Sequence, residues 1–178
     1  RLRFCFLLSP VYSLHERETD YQTKYKLREL VEDGVGILKV GPGLTYAARE
    51  GIFSLCMIEE ELAAVYGFET SHFREELDKA MLANPGKWAP YYHGTENEIA
   101  FKRKYSFSDR CRYYLPQENV KNALAKLLTN LKEHPVPLPL LSQYMPFQYT
   151  MVREGKLNNT PEDLIKARVM YTIEEYTY

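Results

Sequence analysis

The first third of the chain alternates between short apolar runs and helix-like segments. Residues 4–8 and 35–40 are short apolar runs, the second bounded by glycines, and each predicts a buried strand. Between them, residues 20–34 show apolar positions at helical spacing, with Asp20 as the predicted N-cap. Residues 44–66 are apolar on most sides, which is typical of a buried helix. The predicted order is therefore strand, helix, strand, helix.

The strand pattern stops after residue 66, and helical patterns follow. Ser71 is the predicted cap of a helix that ends near Asn84, and Ser108 the predicted cap of a short one. Another helix is expected after Pro116. Residues 135–141 contain three prolines and are expected to be extended, after which a helix resumes with Pro146 near its start or at a kink. Thr160-Pro161-Glu162-Asp163 is a strong N-cap signal for the last helix.

This order of elements has a consequence for the fold class. Parallel strands joined by helices indicate an α/β sheet, but two or three such strands cannot bury both faces of a sheet. A complete (β/α)8 barrel takes about 250 residues. We therefore weigh a small open sheet against the end of a larger protein, and expect the second. Residues 1–66 would form the sheet-containing part, and residues 67–178 a helical extension packed on it.

Composition narrows the class of protein only modestly. The 178 residues carry a formal net charge of −1, so no overall field favours nucleic acid or a membrane surface. Three cysteines without a CxxC pair argue against a disulfide scaffold or a zinc finger and fit a reducing, cytoplasmic compartment. Residues 1–13 loosely resemble a signal peptide, but a buried strand is the favoured interpretation.

The most suggestive local feature is the Gly41-Pro42-Gly43 turn between the predicted strand and the long helix. Glycines allow the backbone to approach a ligand closely, and free N–H groups at a helix start bind anions. Lys39 lies at the end of the predicted strand and Thr45 adds a hydroxyl. These four residues, Lys39, Gly41, Gly43 and Thr45, form a candidate phosphate site. The alternative is a simple strand-to-helix turn, since neither GxxxxGK[ST] nor GxGxxG is present.

Two further candidates lie outside this turn. Residues 102–114 are basic and aromatic, and the guanidinium groups of Arg110 and Arg112 suit phosphate. The same stretch could suit RNA, or one arginine could pair with an acid while the other is solvated. His15 follows the first predicted strand, where a histidine can bind a metal or carry protons.

Four segments resemble one protein family in the same order along the chain. They are TDYQT at 19–23, ILKVGPGLTYAAREGIFSL at 37–55, YSFSDRCRYYLP at 105–116 and LLSQYMPFQY at 140–149. Together they are similar to the GatZ/KbaZ group, the subunits of D-tagatose-1,6-bisphosphate aldolase that are usually called non-catalytic. The resemblance runs from about residue 19 to the end of the chain.

The resemblance implies the C-terminal part of a TIM-type (β/α)8 barrel, namely its last two β/α units, followed by a helical extension. The turn at residues 41–43 would follow the eighth strand, where such barrels often bind phosphate. Asp20 and Tyr21 would contact substrate. His15 would be a metal ligand if two residues are inserted before the TDY run; without the gap Arg17 takes that position. A complete zinc site cannot be assembled here, so zinc is expected in the full-length protein or in its catalytic partner.

The function implied is an accessory subunit that supports a class II aldolase subunit in galactitol or N-acetylgalactosamine breakdown. Its expected partners are that catalytic subunit, a sugar phosphate and a further copy of the chain, with no nucleic acid and no membrane. A stand-alone sugar-phosphate enzyme, aldolase-like or carrying the family's older kinase label, is the first alternative. A helical nucleic-acid-binding module is the second.

Overall fold

The computed structural model describes residues 19–178, and eight α-helices account for most of this part of the chain. In chain order they are α1 Lys24–Glu32, α2 Gly43–Tyr66, α3 Phe73–Ala83, α4 Glu96–Tyr105, α5 Glu118–Glu133, α6 Leu138–Tyr144, α7 Pro146–Arg153 and α8 Pro161–Tyr176. Short 3₁₀ turns, Pro85–Lys87 and Arg110–Tyr113, precede α4 and α5. The chain is helix-rich, as the sequence predicts.

Helix α2 is the centre of the fold, because apolar side chains surround most of it. Leu55 and Ile58 are fully buried, and α8, α5, α6 and α3 pack around it. The closest neighbour is α8. At Gly51 an added Cβ would lie 3.4 Å from the Cα of Ile165, so this glycine lets the two backbones approach. The prediction of a buried helix here is confirmed.

No β-strand occurs between residues 19 and 178, and the predicted strand at residues 35–40 is irregular backbone leading to the turn. A strand is defined by hydrogen bonds to a partner strand, and the described part of the chain offers no second strand for pairing. The other predicted strand, at residues 4–8, lies outside the described residues. The barrel therefore stays a prediction.

Three predicted N-caps are wrong: the 3₁₀ turn Arg110–Tyr113 begins after Asp109 and not after Ser108, and at Asp20 and Ser71 tertiary contacts recruit the same side chains. Helix α1 is capped by Thr23, and Asp20 lies three residues earlier. Helix α3 begins after His72, while the backbone N–H and the hydroxyl of Ser71 donate to the buried carboxylate of Glu59 at 2.9 and 2.6 Å. A buried carboxylate needs such donors, and this requirement outweighs a local cap.

Among the other local predictions, some are confirmed and some are wrong. Thr160 caps α8 and accepts from the N–H of Asp163, as predicted, and Pro146 begins α7. The extended prediction for residues 135–141 is wrong at its end, since α6 begins at Leu138 with Pro139 in its first turn, where a proline is tolerated. Helix α4 was not predicted, although the Thr95–Glu98 capping box marks its start.

Candidate functional site

The Gly41-Pro42-Gly43 turn is held by the carboxylate of Asp20. The N–H of Gly41 donates to one carboxylate oxygen at 2.9 Å, and the N–H of Gly43 donates to the other at 3.2 Å. A Cβ at position 41 or 43 would lie 2.4 or 2.7 Å from those oxygens, so a larger residue at either position requires the Asp20 carboxylate to move. Asp20 is 7% exposed. An aspartate of this chain therefore occupies the anion position at the start of α2.

Two tyrosines complete the surroundings of this carboxylate. The hydroxyl of Tyr176, at the end of α8, donates to Asp20 at 3.2 Å. Tyr21 has a positive φ of 63°, its ring contacts those of Tyr46 and Phe107, and its hydroxyl donates to the Phe107 carbonyl at 2.6 Å. Burial and the nearby carboxylates raise the pKa of Tyr21, which therefore stays a neutral donor.

A second buried carboxylate, Asp109, lies on the other side of the α2 start. The Nε of Arg49 donates to it at 3.3 Å, and both side chains are almost completely buried, at 2% and 1% exposure. The thiol of Cys111 donates to the same oxygen at 2.7 Å. The hydroxyl of Thr45 lies 2.8 Å from the other oxygen and 3.0 Å from the Pro42 carbonyl, and its one proton serves one acceptor at a time.

Three of the predicted motifs thus meet at one place. We call it the junction: residues 19–21, 39–49 and 107–111 together with Tyr176. Asp109 takes a left-handed conformation with φ 39°, which aspartate tolerates better than most residues and which directs the chain into the following 3₁₀ turn. Burial and the neighbouring carboxylate of Asp109 raise the pKa of Cys111, so its thiol is a hydrogen-bond donor and not a nucleophile.

The two predicted phosphate-binding arginines make different internal contacts. The guanidinium carbon of Arg110 lies 3.4 Å from the ring centroid of Tyr91. Arg112 donates to the carbonyl oxygens of Ser108 and Asp109 at 3.2 and 3.1 Å. Lys39 has an exposed side chain, and its carbonyl accepts from the Thr19 hydroxyl. None of these contacts tests ligand binding, so the phosphate roles stay predictions.

The metal prediction cannot be placed, because His15 lies outside the described residues. Among residues 19–178 no group of three or more His, Cys, Asp and Glu side chains is arranged to hold a metal ion. In the same part of the chain, no helix is both long and apolar enough to cross a membrane. Asp20 and Tyr21, the predicted substrate contacts, bind other parts of the chain through their polar groups, and their contact with substrate stays a prediction.

Sequence reasoning missed Arg49, Asp109 and Tyr176 as junction residues. Arg49 sits within an otherwise apolar helix face, and a lone charge there was a usable signal, because a buried arginine requires an acidic partner. Asp109 carried no comparable signal, since it reads as an ordinary solvated acid in a polar loop. Tyr176 is one of fifteen tyrosines, and spacing alone does not identify it.

A family model described as D-tagatose-1,6-bisphosphate aldolase subunit GatZ/KbaZ-like matches residues 9–178. A solved structure, described as a probable tagatose 6 phosphate kinase from Sinorhizobium meliloti 1021, superimposes with a TM-score of 0.82 at 38% sequence identity. The alignment covers 89% of this chain and 41% of that one, so the chain spans less than half the length of this relative.

Proposed function

Because the chain belongs to the GatZ/KbaZ-like family of D-tagatose-1,6-bisphosphate aldolase subunits, we propose that it acts as an accessory subunit. It supports the activity and stability of a class II catalytic subunit. That partner splits tagatose 1,6-bisphosphate into dihydroxyacetone phosphate and glyceraldehyde 3-phosphate. We place this work in the cytoplasm, in galactitol or N-acetylgalactosamine breakdown.

We further propose that residues 1–66 supply the last two β/α units of a TIM-type barrel and that residues 67–178 are its helical extension. Residues 35–40 would then become the closing strand once they meet a neighbouring strand. Two observations support this. The segment runs without helix into a glycine turn at the start of α2, and the extension packs closely on α2, mainly through α8.

The observation that carries the accessory role is the convergence of three separated motifs at the junction. Both of its buried carboxylates, Asp20 and Asp109, are engaged by donors of this chain. Carboxylates that already accept hydrogen bonds from this chain stabilise a rigid structure, whereas a general acid or base must be able to reach a proton of the substrate. We therefore assign the junction to holding the ligand end of the barrel in shape.

For ligand contact we propose that Lys39 supplies the charge that a sugar phosphate meets. Its ammonium group is exposed beside the turn, whereas the N–H groups of Gly41 and Gly43 bind Asp20. Phosphate can reach those N–H groups, and the nearby Thr45, only if Asp20 gives way. Arg110 and Arg112 would keep the contacts described above and add positive electrostatic potential for the phosphate. Zinc, in this proposal, belongs to the full-length protein or to the catalytic partner.

This assignment is tested by phosphate-ester binding to the assembled complex, measured by calorimetry. Lys39→Gln is expected to weaken binding about tenfold, as loss of a charge-assisted hydrogen bond does. The matched control is Lys121→Gln, an exposed lysine on α5. If Asp20 competes with phosphate for the turn, Asp20→Asn strengthens binding. Equal affinities for the Lys39 and Lys121 variants would contradict the role of Lys39.

The surface for the catalytic subunit is proposed to lie on α7 and α8. Phe147 and Tyr171 stack there with ring centroids 5.2 Å apart, yet they are 62% and 42% exposed, and Met170 beside them is 48% exposed. Exposed aromatic and methionine side chains are enriched at interfaces. An aromatic pair that is already ordered loses little entropy when a partner covers it.

Co-expression with a class II aldolase subunit tests the accessory role. We expect the two proteins to co-purify, and the aldol cleavage rate and thermal half-life of the catalytic subunit to rise. Phe147→Ser combined with Tyr171→Ser should abolish co-purification, whereas Leu82→Ser, an exposed apolar residue on α3, should not. Separate elution of the two proteins with unchanged cleavage activity would refute the proposal.

A stand-alone kinase is the second candidate, because the related solved structure carries a kinase description. One observation weighs against nucleotide binding at the turn, since a carboxylate already occupies the anion position of α2 and repels phosphate. ATP-dependent phosphorylation of tagatose 6-phosphate by the purified protein, without a partner, would favour the kinase and displace the accessory role.

A further inference from the structure

A cavity of about 290 Å³ lies beside the junction, on the side of α2 that faces the extension. Its size is close to the lower end of the range for small-molecule sites. Helices α2, α3, α4 and α6 supply its walls. The residues that could bind a ligand are Arg49, Phe53, Ser54, Arg74, Tyr105 and Tyr144.

Two arginines on this wall keep unused donors. The Nη2 of Arg49 and the Nε of Arg74 are buried and have no hydrogen-bond partner among the described residues. Arg49 is 2% exposed as a whole residue. A buried N–H without an acceptor costs about 1–3 kcal/mol of stability, and a charged one costs more. Two such donors therefore indicate an acceptor that is not among the described residues.

The other contacts of these arginines do not satisfy the unused donors. Arg49 uses its Nε on Asp109, and its guanidinium carbon lies 4.3 Å from the Tyr46 ring centroid. A ring face attracts the positive charge but offers no lone pair for a conventional hydrogen bond. Arg74 uses its terminal nitrogens on the Met57 sulfur and on Glu60, at 3.1 and 2.6 Å.

The acid that lines the cavity, Glu50, is engaged elsewhere. Its carboxylate forms an ion pair with Arg168 of α8. Ser54 from α2 adds a hydroxyl donor to the same wall, whereas the hydroxyl of Tyr144 from α6 donates its one proton to Glu61 at 3.3 Å. The wall therefore presents guanidinium and hydroxyl donors around one small space.

We propose that this cavity is a binding site for a small oxyanion, either a phosphate or a carboxylate, held between Arg49 and Arg74. Guanidinium groups bind both anions through paired, charge-assisted hydrogen bonds. A bound anion would link α2, at the junction, to α3 of the extension. This inference does not depend on the aldolase role, since it rests only on the cavity and its donors.

The test is NMR of the arginine side-chain Nε–H signals in the complete chain, titrated with inorganic phosphate and, separately, with acetate at constant ionic strength. We expect a saturable shift of the Arg74 Nε–H signal. Arg74→Gln should weaken anion binding at least about tenfold by calorimetry. The matched control, Arg28→Gln, removes an arginine from an exposed ion pair on α1 and should leave binding unchanged.

Each outcome decides the matter. Saturation by phosphate alone or by acetate alone supports the site and identifies the anion class. A shift that rises linearly with anion concentration and does not saturate, or equal loss of binding in the Arg74 and Arg28 variants, overturns it. If neither anion shifts the Arg74 signal saturably, the site is refuted, whether or not that signal shifts on addition of the catalytic aldolase subunit.

Discussion

Replacement of Asp109 by asparagine isolates the electrostatic part of the junction. Asparagine has nearly the same shape, tolerates the left-handed φ of 39° at this position, and keeps an oxygen that can accept from the Cys111 thiol. Its amide group can also face the hydroxyl of Thr45. What disappears is the negative charge beside Arg49, so the variant asks how much that charge contributes to stability.

The expected decrease in the free energy of unfolding follows from the distance between the charges of Arg49 and Asp109 and from their burial. Unit charges 3.3 Å apart, as Arg49 and Asp109 are, attract by about 5 kcal/mol at an effective dielectric constant of about 20. Most of this offsets the cost of removing both charges from water. Loss of one partner leaves the desolvation of the other uncompensated, which costs about 3–5 kcal/mol. Since asparagine keeps some hydrogen bonds, we expect about 3 kcal/mol, or a Tm lower by about 6–12 °C.

Urea unfolding followed by circular dichroism measures this difference. The control is Glu32→Gln, which breaks the exposed Arg28–Glu32 pair and should leave the midpoint almost unchanged. Combining Asp109→Asn with Arg49→Met should recover part of the loss, because both charges are then removed. If the Asp109 variant unfolds at the same urea concentration as the Glu32 variant, the buried pair does not stabilise the fold.

Two further predictions follow from the same contacts. Gly43→Ala places a Cβ 2.7 Å from the Asp20 carboxylate and should lower the free energy of unfolding, measured in urea, by about 1–3 kcal/mol. Gly86→Ala is the control and should be tolerated, because an added Cβ there would lie 3.7 Å from Oδ1 of Asn84. Equal urea midpoints for the two variants would contradict the tight turn. Burial raises the pKa of the Cys56 and Cys111 thiols, so the folded state keeps protons that the unfolded state loses above about pH 8.5. The stability contributed by these thiols is therefore complete below that pH and falls as pH rises. Urea midpoints at pH 7.5 and 9.5 measure this decrease, which should be smaller in Cys56→Ala. A midpoint that is the same at both pH values would contradict the prediction.

Sequence patterns predicted best where local chemistry and packing act in the same direction. The apolar run at residues 44–66 becomes α2, within one residue of its predicted start, because its side chains prefer the interior in almost any arrangement. Thr160, Pro161 and Asp163 begin α8 as predicted, since a cap is satisfied within one helical turn. Four short motifs were also enough to indicate the family, which the match over residues 9–178 confirms.

Predictions failed where a side chain had a choice between a local and a distant partner. Asp20 was expected to cap the helix that follows it, but it binds backbone N–H groups of Gly41 and Gly43, more than twenty residues away. The spacing of residues along the chain does not indicate that Asp20 lies close to the turn. The same holds for Arg49 and Asp109, which are sixty residues apart and meet only because α2 packs beside the chain that follows α4.

The sequence by itself determined the long buried helix, the helical character of the last two thirds and the family, because apolar periodicity and caps depend on near neighbours. Only the tertiary structure decided which carboxylate meets which donor. Asp20 fills the anion position of the turn, Asp109 neutralises Arg49, and two arginines that line a cavity keep buried donors without a partner among the described residues. The physical reason is that charge pairing and the filling of space depend on distances between elements, which the order of residues does not encode locally.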